Sequence, residues 1–235
     1  MNKYDSNKII LALDVPAADA VKIIDKTKDA IAVYKLGHPL FTEAGPQIVD
    51  LLQKHSKKFF LDFKYHDIPN TVALAITAIT KKYKPEMVTL HASGGKKMMA
   101  AAVDAVNKFD PSDRPKLLGV TVLTSMSPSD FAAVGVTKSV GQAVHDLAVS
   151  AADCGLAGIV CSGEEVKSVR QSVPKEFLIV VPGVRLDTNK KTDDQSRVVT
   201  PWSAWDDGAD YVVIGRPIYE AADPEKVIQS MTFVV

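Results

Sequence analysis

Residues 59–71 read FFLDFKYHDIPNT, and this stretch carries the strongest indication of both fold and chemistry. The apolar run 59–61 predicts a buried β-strand that ends in charged residues. Asp62 and Lys64 are two positions apart, so on a strand they point to the same side. Asp67 follows just beyond the strand end. Such charges are costly to desolvate unless they pair with each other or act on a ligand, so an ion pair and a functional site both remain open.

Similar apolar runs alternate with segments of helical periodicity along the rest of the chain. Most runs are continuous rather than alternating, which is typical of parallel strands that are buried on both faces. Between them lie helix signals such as Thr200-Pro201 and Asp223-Pro224, which each place an N-cap residue before a proline. The predicted strands are residues 9–15, 33–37, 58–64, 87–92, 117–123, 158–162, 178–184 and 211–215.

This arrangement amounts to eight strand–helix units of roughly 25–30 residues each, which predicts an α/β fold of the (β/α)8 TIM barrel class. No Ser/Gly linker or charge block marks a boundary, so we expect a single domain over residues 1–235. A doubly wound open sheet is the alternative fold. It would often carry a Gly-x-Gly-x-x-Gly turn after the first strand, where this chain has Val15-Pro16-Ala17.

The overall composition argues against several classes of function. The chain has 235 residues, 46% of them hydrophobic and 24% charged, which is ordinary for a globular protein. Lys+Arg and Asp+Glu both number 28, and no basic stripe indicates binding of nucleic acid. The apolar run 9–13 is too short for a signal peptide or a membrane span. Cys154 and Cys161 lack metal or redox spacing, which favours a reducing cytoplasm.

Polar residues gather at the predicted strand ends, where barrel enzymes carry their reactive groups. Any one of them could be a helix cap or a surface charge, but their shared position favours a common site. The candidates are Asp14 after the first strand, Lys35 in the second, Asp62 and Lys64 in the third, His91 in the fourth, Thr124 and Ser125 after the fifth, Pro182 and Arg185 at the seventh, and Gly215 and Arg216 at the eighth.

Gly215 and Arg216 predict a phosphate site. Loops after the seventh and eighth strands commonly bind phosphate in this architecture, and glycine lets the backbone approach the anion while arginine offers two donors. The long polar loop 187–197, which contains Gln195, has the length and polarity of a mobile lid over a charged ligand. A plain solvated loop is equally consistent with its composition. The histidines show no metal-binding spacing, so no metal is expected.

In combination, these residues resemble the orotidine 5′-phosphate decarboxylase family in its compact bacterial form. The Asp-x-Lys-x-x-Asp spacing is shared with related sugar-phosphate decarboxylases and aldolases. The Ile-Pro-Asn-Thr extension at 68–71 and the Thr-Ser-Met turn at 124–126 are more specific. Further matching segments are LALD at 11–14, YKLG at 34–37, HASGG at 91–95, VPGVR at 181–185 and VIGRPI at 213–218.

The resemblance implies decarboxylation of orotidine 5′-phosphate to UMP without a cofactor or metal. Lys64 would donate the proton to C6, and Asp62 and Asp67 would position it. Lys35 is the fourth catalytic residue that the resemblance implies, and it would hold these charged groups as well as the ribose. It also implies a homodimer in which Asp67, Ile68 and Thr71 reach the neighbouring site. The residues implied to bind substrate are Asp14 and Lys35 at the ribose, Asp62 at the carboxylate, Thr124 and Ser125 at the pyrimidine, Pro182 and Arg185 on the loop side, and Gln195, Gly215 and Arg216 at the phosphate.

Two other functions remain open at this point. One is a metal-dependent sugar-phosphate decarboxylase or aldolase on the same barrel, which shares the spacing of Asp62, Lys64 and Asp67. The other is a non-catalytic nucleotide-binding barrel with a regulatory role, although an intact set of these three residues argues against it. No membrane or nucleic-acid partner is expected.

Overall fold

The computed structural model describes residues 4–186 and 198–232. Eight parallel strands pair in chain order, and β1 pairs with β8, so the sheet closes into a barrel. The predicted (β/α)8 fold class is therefore confirmed. The strands are β1 (Ile9–Ala12), β2 (Val33–Gly37), β3 (Lys58–Tyr65), β4 (Met87–His91), β5 (Lys116–Val120), β6 (Gly158–Val160), β7 (Leu178–Val181) and β8 (Tyr211–Ile214).

The strands of the barrel are connected by helices on its outside. Across the described ranges, no helix has both the length and the apolar character needed to span a membrane. The α-helices are α1 (Ala17–Thr27), α2 (His38–Lys54), α3 (Pro69–Tyr83), α4 (Lys96–Val106), α5 (Pro128–Ala133), α6 (Val140–Asp153), α7 (Val166–Arg170), α8 (Pro201–Asp206), α9 (Arg216–Tyr219) and α10 (Pro224–Thr232).

Two helix starts follow directly from local sequence. The Thr200 hydroxyl accepts a hydrogen bond from the Ser203 N–H at 3.1 Å, and Asp223 Oδ1 accepts one from the Lys226 N–H at 3.0 Å. Each side chain thus satisfies a backbone donor in the first turn, which has no partner within its own helix. The two predicted N-caps are confirmed.

The barrel interior is filled by an apolar cluster, formed by Ile10, Ala12, Val33, Phe60, Met87, Leu118, Val180 and Val213. Side chains on a strand alternate between faces, so the residue two positions further along faces the interior again. On β2, β3 and β4 those residues are Lys35, Asp62 and Thr89. The interior therefore changes from apolar to polar toward the carboxyl-terminal ends of the strands.

Several strands end earlier than their apolar runs predict. Residues 9–15 and 178–184 were expected to be strands, whereas the ladders end at Ala12 and Val181. Leu13 and Val184, which lie beyond those ends, are nevertheless fully buried. An apolar run indicates burial, whereas a strand requires a continuous hydrogen-bonded ladder. Here burial continues past the ladder to residues with single backbone contacts: the Leu13 N–H donates to the Lys35 carbonyl, and Val184 forms an isolated bridge with Val199.

Strand β3 is irregular at its carboxyl-terminal end. Leu61 pairs with Val88 and Tyr65 with Leu90, so four steps along β3 match two steps along β4. Lys64 lies inside this bulge with a φ of 47°, a left-handed conformation that non-glycine residues seldom adopt. Bulges of this kind redirect side chains and are frequent beside active sites.

Candidate active site

A cavity of about 550 Å³ opens at the carboxyl-terminal ends of the strands. It is the end at which the barrel interior becomes polar. Ten of the residues predicted from sequence line it: Asp14, Lys35, Asp62, Lys64, Thr124, Ser125, Pro182, Arg185, Gly215 and Arg216.

The cavity is lined by a row of alternating charges, formed by Asp14, Lys35, Asp62 and Lys64 and called the charge array below. Lys35 Nζ donates to Asp14 Oδ1 at 3.1 Å and lies 3.4 Å from Asp62 Oδ2. Lys64 Nζ donates to the same Asp62 oxygen at 2.9 Å. One carboxylate oxygen thus serves two ammonium groups, which come from neighbouring strands.

The middle of the charge array is buried, whereas its two ends reach solvent. The side chains of Lys35 and Asp62 are 10% and 12% exposed, against 54% for Asp14 and 32% for Lys64. Burial opposes both buried charges, but their opposite neighbours outweigh it. The pKa of Lys35 is raised because Asp62 and Asp14 outweigh its desolvation. The pKa of Asp62 is lowered because Lys35, Lys64 and a hydrogen bond from Thr89 outweigh its desolvation.

Thr89 on β4 also belongs to this site, although it was not among the residues predicted from the sequence. Its Oγ1 donates to Asp62 Oδ1 and accepts the backbone N–H of Lys64, both at 2.9 Å. A local signal was available, because Thr89 lies two positions after the interior residue Met87 and therefore on the same face of the strand. That spacing predicts which face of the strand Thr89 occupies. It does not predict its hydrogen-bond partners Lys64 and Asp62, which are 25 and 27 residues away in the sequence.

The opposite wall of the cavity combines apolar side chains with the predicted phosphate residues. Val120, Val213 and the buried thiol of Cys161 provide apolar surface. At Gly215 the space is tight, because an added Cβ would lie 3.3 Å from the Tyr219 ring. The backbone can therefore approach a ligand more closely there than a larger residue would allow.

Three predicted site residues do not reach the cavity of their own chain. Asp67 and Thr71 are exposed, and the side chain of Asp67 accepts the N–H of Ile68 at 2.6 Å. Ile68, the N-cap residue of α3, is 65% exposed, and Leu74 within α3 is 61% exposed. Two large apolar side chains therefore face solvent in the isolated chain, and one of them, Ile68, directly follows Asp67, whose carboxylate was expected to act in a neighbouring site. Gln195 and the loop 187–197 lie outside the described residues.

His91 ends β4 as predicted, but it packs beside the site rather than lining it. Its ring lies 5.2 Å from that of His66. Burial lowers the pKa of His91, and electrostatic interactions with His66 and Lys64 lower it further against the opposing effect of Asp62, which favours the neutral imidazole. Within residues 4–186 and 198–232, no three His, Cys, Asp or Glu side chains group together as a metal site.

The fold and cavity define a barrel protein with a lysine–carboxylate array at the mouth of its strands. Residues 7–231 match the family described as orotidine 5′-phosphate decarboxylase / HUMPS, and the chain belongs to that family. The predicted family resemblance is therefore confirmed.

Full-length relatives are similar to this chain across almost all of it. The orotidine 5′-phosphate decarboxylase of Trichlorobacter lovleyi is 45% identical over 234 residues, covering 97% of this chain and 94% of the relative. That of Legionella pneumophila subsp. pneumophila is 42% identical over 225 residues, covering 95% and 97%. The crystal structure of the Lactobacillus acidophilus orotidine 5′-phosphate decarboxylase superposes with a TM-score of 0.83 at 33% identity, covering 96% of this chain and 97% of that one.

Proposed function

We propose that this chain decarboxylates orotidine 5′-phosphate to UMP, a step of pyrimidine biosynthesis, without a metal or cofactor. The observation that carries the proposal is the Lys64 ammonium group, which lines the cavity and is held by Asp62 at 2.9 Å. Membership of the family and the names of the full-length relatives support the same reaction.

The chemistry explains why a fixed ammonium group is the central requirement. Loss of CO₂ from C6 leaves a carbanion in the plane of the pyrimidine ring, where the π-system cannot delocalise it. An ammonium group aimed at C6 is attracted more strongly as that carbon becomes more negative, so it stabilises the transition state more than the substrate. Lys64 can then protonate the carbanion as a general acid.

Asp62 has two roles in this proposal. It holds Lys64 in place, and it faces the carboxylate of the substrate. Two like charges 4 Å apart repel by about 4 kcal/mol at an effective dielectric constant near 20. That repulsion is relieved as CO₂ leaves, which favours the reaction. The oxygen Oδ2 of Asp62 already contacts two ammonium groups, and their charges would repel a metal cation.

Substrate binding is assigned to the remaining cavity residues and to Gln195, which lies outside the described residues. Asp14 and Lys35 would hold the ribose, and the phosphate would bind away from C6. Its binding energy would offset the cost of bringing the substrate carboxylate beside Asp62. The other assignments are Thr124 and Ser125 at the pyrimidine, Pro182 and Arg185 on the loop side, and Gln195, Gly215 and Arg216 at the phosphate.

We propose a homodimer in which Asp67, Ile68 and Thr71 of one protomer complete the site of its partner. The exposure of Ile68, which directly follows Asp67, supports this arrangement, and Leu74 is a second large apolar side chain that α3 leaves exposed. Asp67 would then add a second carboxylate to the array around Lys64. We also propose that residues 1–235 form one domain and that the protein acts in the cytoplasm.

The direct test is the loss of orotidylate ultraviolet absorbance with purified, EDTA-treated protein, with Lys64→Ala as the matched inactive control. Decarboxylation by the parent chain but not by the variant is the expected result. Turnover only after Mg²⁺ is restored, or only of a sugar phosphate, would favour the metal-dependent lyase. Binding of UMP without turnover would favour the non-catalytic nucleotide-binding barrel.

A further inference from the structure

Thr89 is a fully buried residue whose hydroxyl is hydrogen-bonded to two members of the charge array, Asp62 and Lys64. It is 0% exposed and lies in the middle of β4. Its Oγ1 lies 2.9 Å from the backbone nitrogen of Lys64 and 2.9 Å from Asp62 Oδ1. It does not line the cavity, so any effect that it has on a ligand must pass through those two residues.

The directions of these two hydrogen bonds follow from the donors available. A backbone N–H can only donate, so the Thr89 hydroxyl must accept from Lys64. A hydroxyl has a single proton, which is then directed at Asp62 Oδ1. That oxygen must act as the acceptor, which favours the ionised carboxylate. With Oδ1 engaged in this way, Oδ2 is the oxygen that faces the ammonium groups of Lys35 and Lys64.

The same hydroxyl supports the backbone of the bulge. The extra residues of β3 lie between the pairs Leu61–Val88 and Tyr65–Leu90, and Thr89 lies between Val88 and Leu90 on the opposite strand. The bulge takes the Lys64 N–H out of the regular ladder. Thr89 supplies the acceptor that this buried donor requires, at a residue held in the left-handed conformation.

We propose that Thr89 is a positioning residue of the active site, whose hydroxyl fixes both the backbone of Lys64 and the orientation of the Asp62 carboxylate. The catalytic consequence rests on the proposed function. A small displacement of the ammonium group relative to C6 reduces turnover steeply, whereas contacts to the phosphate and ribose are made by residues that Thr89 does not touch. Thr89 should therefore affect kcat far more than binding.

The test compares Thr89→Val, which keeps the shape but removes the hydroxyl, with Thr89→Ser, which keeps the hydroxyl. We expect the valine variant to lose on the order of 10²-fold in kcat, with KM and the Kd of UMP changed by less than about threefold. The serine variant should stay within about fivefold of the parent kcat. A valine variant with near-parent kcat, or a serine variant as impaired as the valine variant, would overturn the proposal.

Thr80→Val is the matched control for removing a buried threonine hydroxyl. Thr80 is fully buried on α3, and within residues 4–186 and 198–232 its hydroxyl has no hydrogen-bond partner. We expect this variant to keep the parent kcat. If Thr89→Val does not fold, Thr89→Cys replaces it, because a thiol is only a weak donor and acceptor. The cysteine variant should show the same fall in kcat without a matching rise in KM, and parent-like kcat in it would contradict the role of Thr89.

Crystal structures of the parent and Thr89→Val proteins separate this inference from the proposed function. If the parent protein does not turn over orotidylate, the proposed function fails, but the geometry can still be compared. We expect the valine variant to lose the 2.9 Å contact between Asp62 and Lys64 or the left-handed conformation of Lys64. An unchanged array in the variant would overturn the positioning role whatever the activity.

Discussion

The ammonium group of Lys35 lies 3.4 Å from Oδ2 of Asp62, and both side chains are almost completely buried. Two opposite charges in such a place are retained because each compensates the desolvation of the other. Asp14 and Lys64 extend the pair at either end. The charge array therefore behaves as a unit, and the loss of one member changes the environment of the others.

Lys64→Ala is expected to abolish measurable decarboxylation while the protein remains folded. The proposed proton donor is lost, but Asp62 keeps Lys35 and Thr89 as partners, so no buried charge is left without compensation. Steady-state turnover and thermal unfolding of the same preparations would check this. Lys58→Ala is the matched control, since Lys58 lies at the other end of β3 and pairs with Glu86. Near-normal turnover in the Lys64 variant would refute the proposed mechanism.

Arg216→Ala is expected to weaken substrate binding more than it slows the chemical step. A hydrogen bond to a charged group contributes roughly 1.5–3 kcal/mol, so KM and the Kd of UMP should rise on the order of 10- to 100-fold. Steady-state kinetics with orotidylate and a UMP titration would measure both. Arg114→Ala is a suitable control because the Arg114 guanidinium is hydrogen-bonded to the Phe109 and Asn107 carbonyls. A fall in kcat with unchanged KM would contradict the assignment of Arg216 to phosphate.

Mixing Lys64→Ala with Asp67→Ala protein is expected to restore activity that neither variant has alone. In a shared-site dimer, one of the two sites of each mixed dimer has both Lys64 and the partner's Asp67. With free exchange at equal concentrations, half of the dimers are mixed, so about a quarter of the parent activity should return. Turnover after subunit exchange checks this.

A substitution at the exposed residue Ile68 provides a control for the mixing experiment, because it should block formation of the dimer. Ile68→Glu in both variants should prevent association, because a charge at this position would have to be desolvated in the dimer. The mixture should then stay inactive and the protein should sediment as a monomer. Full activity of Asp67→Ala by itself would show that Asp67 is not needed in any site.

Asp62→Asn is expected to destabilise the fold in a pH-dependent way. Breaking a buried ion pair costs roughly 3–5 kcal/mol, which should appear in the free energy of unfolding near pH 7. The pKa of Asp62 is lowered in the folded protein, so its contribution is present above the unfolded value of about 3.9 and is lost as the pH falls through the folded pKa. Urea unfolding of parent and variant between pH 3 and pH 7 should show the difference shrinking toward acid. A difference that is constant over this range would contradict the ionised state of Asp62.

Lys35 is expected to make the free energy of unfolding depend on pH in the basic range, in the direction opposite to the effect of Asp62 in acid. Its pKa is raised by Asp62 and Asp14 against the effect of burial, so its contribution is present below the unfolded value of about 10.4. It is lost as the pH rises through the folded pKa. Lys35→Met should therefore remove part of the decline in stability that the parent shows as the pH rises above about 10.4, as measured by the same urea titration.

The sequence predicted the barrel and most of its mouth because the relevant signals are local. Continuous apolar runs mark buried strands wherever they pair, and the two-residue spacing from Phe60 to Asp62 places the carboxylate on the interior face. Strand ends were less predictable, since Leu13 and Val184 stay buried beyond the continuous ladder, with only a single backbone hydrogen bond and an isolated bridge respectively. The N-caps Thr200 and Asp223 were predictable because a cap involves only the next three residues.

The sequence by itself determined the eight strand–helix units, the charged residues at the strand ends and the family. Only the tertiary structure decided that one oxygen of Asp62 serves two lysines, that Lys64 lies in a bulge and that Thr89 supports both. It also decided that Asp67 stays outside the cavity of its own chain. The hydrogen bonds of the charge array that cross between strands join residues 21 to 27 positions apart in the sequence. Side-chain orientation at such contacts is set by packing and not by a local sequence pattern.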